Sequence, residues 1–190
     1  MNLLREYIRE ILTERRGGTV HPKIYEMIAS ADEKGYKIRT GNHSVVLIDD
    51  TDNIIAQIGW DDDSIYGPCL KASHVTNASA ENAPGFGPLL YDVAIEMTGG
   101  LTPDRTTVSD AARNVWDYYN TVRYDVKKEQ LDDLENKLTP EEQDNCEQLS
   151  ASEDSNIGSP KNWDESSLSK KYSKQGSPVY NELRSRDMLV

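Results

Sequence analysis

Residues 82–97 read Asn82-Ala-Pro-Gly-Phe-Gly-Pro-Leu-Leu-Tyr-Asp-Val-Ala-Ile-Glu-Met97. A glycine-rich turn runs straight into an apolar helix. A Gly-x-Gly turn at a helix start leaves backbone N–H groups unblocked, and the helix dipole adds partial positive charge there. Such a place suits an anion such as a pyrophosphate. Pro88 fits the first helical position, where the missing N–H costs nothing. Glycines also collect at strand-to-helix junctions for backbone reasons alone, so both readings stand.

Outward from this turn, Cys69-Leu-Lys-Ala-Ser-His-Val-Thr-Asn77 reads as a strand before it. The helix runs from Pro88 to Met97, with Leu89, Leu90, Val93, Ala94 and Met97 expected inside, and Gly99-Gly100 stop it. Leu101-Thr-Pro-Asp-Arg105 holds a stub of strand. Ser109 then looks like an N-cap for a helix to about Thr121, with Ala112, Val115, Trp116 and Tyr119 inward.

Upstream, Pro22 to Lys34 reads as a helix closed by Gly35. Three strands follow: Tyr36–Thr40, His43–Asp49 and Ile54–Trp60. Gly41-Asn42 and Asp50-Thr-Asp-Asn53 are hairpin signals between β-branched runs. Asp61-Asp62-Asp63 reads as a solvated loop, because consecutive side chains diverge. Residues 2–14 form an amphipathic helix with Leu4, Tyr7, Ile8, Ile11 and Leu12 on one face.

Downstream, residues 129–154 turn acidic, with Lys137 the sole base. Short helices are expected over Lys128–Lys137 and Pro140–Leu149. The organisation expected is a leader over 1–18, a domain over 19–128, an acidic helical extension over 129–149, a polar linker over 150–160 and a tail over 161–190. The tail's anchors include Trp163, Leu168, Tyr172 and Tyr180. The fold class expected is α+β, a mainly antiparallel sheet flanked by helices.

Bulk composition narrows the function. The chain has 190 residues and a net charge of −12, with an isoelectric point of about 4.7 and a mean hydropathy of −0.70. That balance argues against nucleic-acid binding, which needs clustered Lys and Arg. No apolar run approaches the roughly 20 residues of a membrane span. Cys69 and Cys146 read as free thiols in a reducing compartment. His21, His43 and His74 are scattered, so no metal site is expected.

Strands, glycine turn, helix, short strand and second helix, in this order over residues 21–125, resemble the GNAT family of N-acetyltransferases. That family shows a (Gln/Arg)-x-x-Gly-x-(Gly/Ala) turn after a Leu-x-Val strand end. Here Val75 and Asn77 stand at the strand end, Asn82 at the Gln/Arg position, and Gly85 and Gly87 at the small positions. The resemblance implies acetyl transfer from acetyl-CoA to an amine acceptor. It implies a pantetheine arm along the strand end and a pyrophosphate on the amides of Gly85, Phe86, Gly87 and Leu89. The family's general acid is often a Tyr seven residues into the second helix. Counting from Ser109, that position holds Trp116, which leaves Tyr118, Tyr119 and His74 as the catalytic candidates.

The first 15 residues also resemble leaders of proteins from tailed bacteriophages, in which a protease cuts after (Leu/Ile)-x-Glu. Leu12-Thr-Glu14 fits that pattern. This resemblance implies a host-cytoplasm or phage-particle location and phage or host protein partners. A virion or interaction protein without chemistry is therefore an alternative to the enzyme. An acidic decoy for a basic host protein is a third reading.

Overall fold

The computed structural model describes residues 18–62, 73–79, 85–132 and 163–190. The leader helix over 2–14, the cut pattern at Glu14, Asn82, both cysteines, the helix over Pro140–Leu149 and the linker over 150–160 lie outside the described residues.

Helix α1 spans Pro22–Glu33, with Pro22 in its first turn and the His21 imidazole accepting from the Lys23 amide. Ile24, Ile28 and Ala31 recur at helical spacing and are buried. Gly35 ends the helix with a φ of 71°. Strands β1 (Lys37–Thr40), β2 (Ser44–Ile48), β3 (Ile54–Asp61) and β4 (Ser73–Ser79) form an antiparallel series. On β2, Val45 and Leu47 are fully buried while Ser44 and Val46 are half-buried, the alternation of a pleated strand. Asp49 organises the β2–β3 turn by accepting from the Thr51 and Asn53 amides, each at 2.9 Å. Asp62 accepts from the Ser73 hydroxyl at 2.6 Å, tying the end of β3 to the start of β4.

Helix α2 spans Gly87–Thr98. Every residue from Leu89 to Ile95 is buried, the polar Asp92 included. A helix buried all round must be covered on every side, and α2 contacts the sheet, α1 and a C-terminal helix. Met97, expected inside, is 38% exposed in the last turn. Gly99 closes the helix with a φ of 71°, its amide donating to the Ile95 carbonyl at 3.0 Å. The strand stub is β5, Leu101–Thr102. Helix α3 spans Asp110–Thr121, and the Ser109 side chain caps it by accepting from the Ala112 amide.

The rest of the chain departs from expectation. Residues 128–130, expected to begin a helix over Lys128–Lys137, belong to strand β6, Lys127–Gln130. Its partner is β7, Lys170–Ser173, which follows a 3-10 turn at Ser167–Ser169. The Leu131 amide extends the pairing by donating to the Ser169 carbonyl at 2.9 Å. Pairing across 40 residues thus overrides local helix propensity. The segment expected as a tail supplies both this strand and helix α4, Pro178–Ser185.

The sheet order is β1-β2-β3-β4-β5-β7-β6. It is a four-stranded antiparallel series joined to a three-stranded group through two parallel residue pairs, and the fold is α+β. The chain end reaches β1: the Ile38 amide donates to the Met188 carbonyl at 2.7 Å, and the Val190 amide to the Ile38 carbonyl at 3.0 Å. That contact covers an otherwise open sheet edge. Among the described residues no helix is long and apolar enough to cross a membrane.

Candidate functional site

The parallel joint is where the sheet opens. Strands β4 and β5 pair only at Ser73 with Leu101 and His74 with Thr102. Pro103 follows at once, and a proline has no N–H for a ladder. Strand β4 continues to Ser79, so from Val75 onward its second edge has no strand partner among the described residues. Asp104 builds the turn that leads away. Its Oδ1 accepts from the Thr106 amide at 2.7 Å and the Thr107 amide at 3.1 Å. Arg105 is buried and donates to the Thr102 hydroxyl at 2.9 Å.

Two adjoining hollows fill the opening. The larger, about 190 Å³, is walled by Val75 to Ala78 of β4, by Asp104, Thr107 and Val108 of the loop, and by Ser109, Ala112 and Trp116 of α3. The smaller, about 80 Å³, reaches Gly87 at the start of α2, with Gln57, Ile58, Ser79, Leu90 and Val115 around it. Ala78, Tyr91, Ser109 and Ala112 line both. A half-open path therefore runs from the first turn of α2 to the Asp104 carboxylate.

Tyr91 stands where the two hollows join. It is 3% exposed, and its ring meets the Trp116 ring edge to face, with centroids 5.0 Å apart. Its hydroxyl is shielded from water and has no hydrogen-bond partner among the described residues. An unpaired buried hydroxyl costs about 1–3 kcal/mol. Burial first, and then the Asp104 charge, push the phenol well above its usual pKa, so it stays a neutral donor. Sequence reasoning missed Tyr91, which sits inside the helical run but outside the expected inward set of Leu89, Leu90, Val93, Ala94 and Met97. Asp104 was read only as part of a short strand.

The start of α2 offers fewer amides than expected. Phe86 is the N-cap, with no side chain capping the helix. The Leu89 amide, expected to face an anion, donates instead to the Phe86 carbonyl at 3.1 Å. Pro88 carries no amide hydrogen. The Phe86 and Gly87 amides have no backbone acceptor among the described residues. Gly85 adopts a φ of 96°, which an L side chain resists. Among the described residues a Cβ on Gly87 would meet only Val115, at 3.8 Å. Phe86 itself is buried against Tyr36 and lies under the Lys34 ammonium, 4.9 Å from the ring centroid.

Of the three catalytic candidates, Tyr118 and Tyr119 turn their hydroxyls to different partners. The Tyr119 hydroxyl is committed to the Asp92 carboxylate and to the Pro88 carbonyl at 3.1 Å. Burial and then Asp92 raise its pKa far above the usual phenol value. The Tyr118 hydroxyl faces His21 Nδ1 at 3.4 Å, on the α1 side. His74 stands in β4 opposite Asp61 and Thr102, and its side chain lies outside the described set. Val75 and Asn77 line the larger hollow, with Asn77 opposite Gly59, where a Cβ would come within 2.7 Å of its amide nitrogen.

Behind Tyr119 lies a buried ion network. Arg123 forks onto Asp92 at 2.7 and 2.8 Å, and onto Asp125 at 2.8 and 2.7 Å. Lys174 bridges Asp92 at 3.0 Å and Glu96 at 2.7 Å. Asp92 and Arg123 are fully buried. Each charge in this network has an opposite partner and a hydrogen bond, which is what lets charges stay buried. The network holds α2, the end of α3 and the β7–α4 connection together, and it leaves Tyr119 no proton to offer the cleft. Among the described residues no group of His, Cys, Asp or Glu is placed to hold a metal ion.

Comparison with known proteins yields no match: no family model, curated protein or solved structure matches the chain.

Proposed function

We propose that the cleft between β4 and α3 binds an acyl-coenzyme A, acetyl-CoA by the family resemblance, and passes its acyl group to an amine. The observation that carries this reading is the open edge of β4. From Val75 to Ser79 one side of that strand pairs with β3, while the other faces the cleft. Exposed backbone N–H and C=O groups on a strand edge pair readily with an extended chain of amides, and pantetheine is such a chain. The Phe86 and Gly87 amides and the α2 dipole suit the diphosphate at one end. Asp104 lines the other end, where the amine acceptor would enter. Catalysis would come chiefly from holding thioester and amine together: the amine, its ammonium proton lost to water, bonds the acyl carbon as the C–S bond breaks, and the second nitrogen proton leaves with the thiolate as the coenzyme A thiol.

The test is a titration of the full chain with coenzyme A by calorimetry. Binding is expected, and Ala112→Leu, which fills space common to both hollows, is expected to weaken it at least tenfold. Absence of binding at millimolar ligand overturns the reading.

A second reading is a coenzyme-binding domain without turnover. The commitment of Tyr119 to Asp92, and of Tyr118 toward His21, favours it. Release of free thiol from acetyl-CoA in the presence of a panel of amines and basic peptides separates the two.

A further inference from the structure

Among the described residues one buried hydroxyl has no hydrogen-bond partner, that of Tyr91, and Tyr91 lines both hollows of the cleft. We infer that the Tyr91 hydroxyl donates a hydrogen bond to the thioester carbonyl oxygen of the bound acyl group. This rests on the acyl-coenzyme reading of the cleft and adds a specific carbonyl-polarising residue to it.

Three observations place the donor there. Tyr91 is common to the two hollows, so a chain threading from Gly87 toward Asp104 passes its ring. Asp104 and Tyr91 both line the larger hollow, at the end of the path away from Gly87. The acyl end of the ligand belongs where the amine arrives. The hydroxyl has no competing acceptor among the described residues, unlike Tyr119 and Tyr172, whose hydroxyls bond Asp92 and the Ser167 carbonyl. Its neighbour Trp116 fixes the ring edge to face, so the phenol is oriented before any ligand enters. A donor aimed at a carbonyl that gains negative charge during acyl transfer favours the transition state over the ground state. No proton changes hands in this step. The phenol keeps its hydrogen while the carbonyl oxygen takes up charge.

Acetyl-CoA and free coenzyme A are titrated separately into the full chain and into Tyr91→Phe, and the carbonyl stretch of bound acetyl-CoA, ¹³C-labelled at the thioester, is recorded. The variant is expected to bind free coenzyme A like the unaltered protein and acetyl-CoA about tenfold more weakly. The carbonyl band is expected to sit at lower frequency in the unaltered protein than in the variant. Equal affinity for acetyl-CoA with an unchanged band overturns the inference and leaves the acyl-coenzyme reading intact. Equal weakening for both ligands also overturns it, placing the hydroxyl on the pantetheine instead. No binding of either ligand to the unaltered protein ends both readings.

Discussion

The Glu96 carboxylate accepts the backbone amide of Tyr180 at 2.9 Å and that of Val179 at 3.1 Å, across more than 80 residues of chain. Ser177, the N-cap of α4, makes no side-chain bond to that helix. The cap is therefore supplied by another helix, and the same carboxylate pairs with Lys174. Replacing Glu96 with Ala uncaps α4 and leaves the buried Lys174 with one carboxylate instead of two. A loss of about 3 kcal/mol is expected, read from the urea midpoint.

Arg123 is the hub of the network, shared between Asp92 and Asp125. Arg123→Met strands the buried Asp92 with Lys174 as its remaining cationic partner, and a loss of about 3–5 kcal/mol is expected. Arg123→Lys should recover little of it, because a single ammonium cannot fork onto two carboxylates. Chemical denaturation of both variants checks this, and full rescue by Lys would show that charge alone matters.

His21 gives a pH dependence. Its Nδ1 accepts from the Lys23 amide, which needs the neutral imidazole. Burial first, and then the Arg123 charge, lower its pKa below the usual 6.5. The unfolded chain therefore binds the proton more readily. The stability His21 contributes is present above pH 6.5 and is lost as pH falls through the lowered folded value. In His21→Asn, which keeps a capping acceptor without the titration, the fall in melting temperature between pH 7 and pH 5 should be shallower.

Asp49 acts lower on the scale. Hydrogen bonds from Asn53 and Thr51 hold its carboxyl at about 2. Its contribution is present above the ordinary carboxylate value and disappears as pH falls toward 2. Asp49→Asn should reduce stability at neutral pH and narrow its difference from the unaltered protein in acid, as followed by circular dichroism.

Gly99 closes α2 in the left-handed region, with no described residue within 4 Å of where a Cβ would stand. The cost of Gly99→Ala is then one of backbone conformation alone, about 1 kcal/mol. Gly99→Asn should cost less, since Asn tolerates that conformation. Equal melting temperatures for all three proteins would refute the assignment.

Much of the first half of the fold was legible because its signals are local. His21-Pro22, Gly35, Ser109 and Gly99 mark helix ends within a residue or two of where they fall. Apolar alternation marks β2 and β3. Strands β6 and β7 were not legible. Lys127-Lys-Glu-Gln130 is wholly polar, as suits the last strand of a sheet, and β7 shows only Tyr172 to the core. Their pairing is decided by contacts far apart in sequence. The cleft was half legible: Gly87 of the glycine turn and the strand before it line the two hollows. The phenol beside it did not stand out, because an unpaired hydroxyl has no sequence signature. Tyr119 looked equally available until Asp92 and Arg123 were seen around it.

The placement of β7 between β5 and β6 sets an order of events during synthesis. The two-residue strand β5 gains its second neighbour only after residue 173 has left the ribosome. Until then the growing polypeptide carries an unfinished seam beside its open edge, one that a chaperone or a second nascent molecule can occupy. Completion of the sheet should therefore come late and abruptly rather than in proportion to chain length.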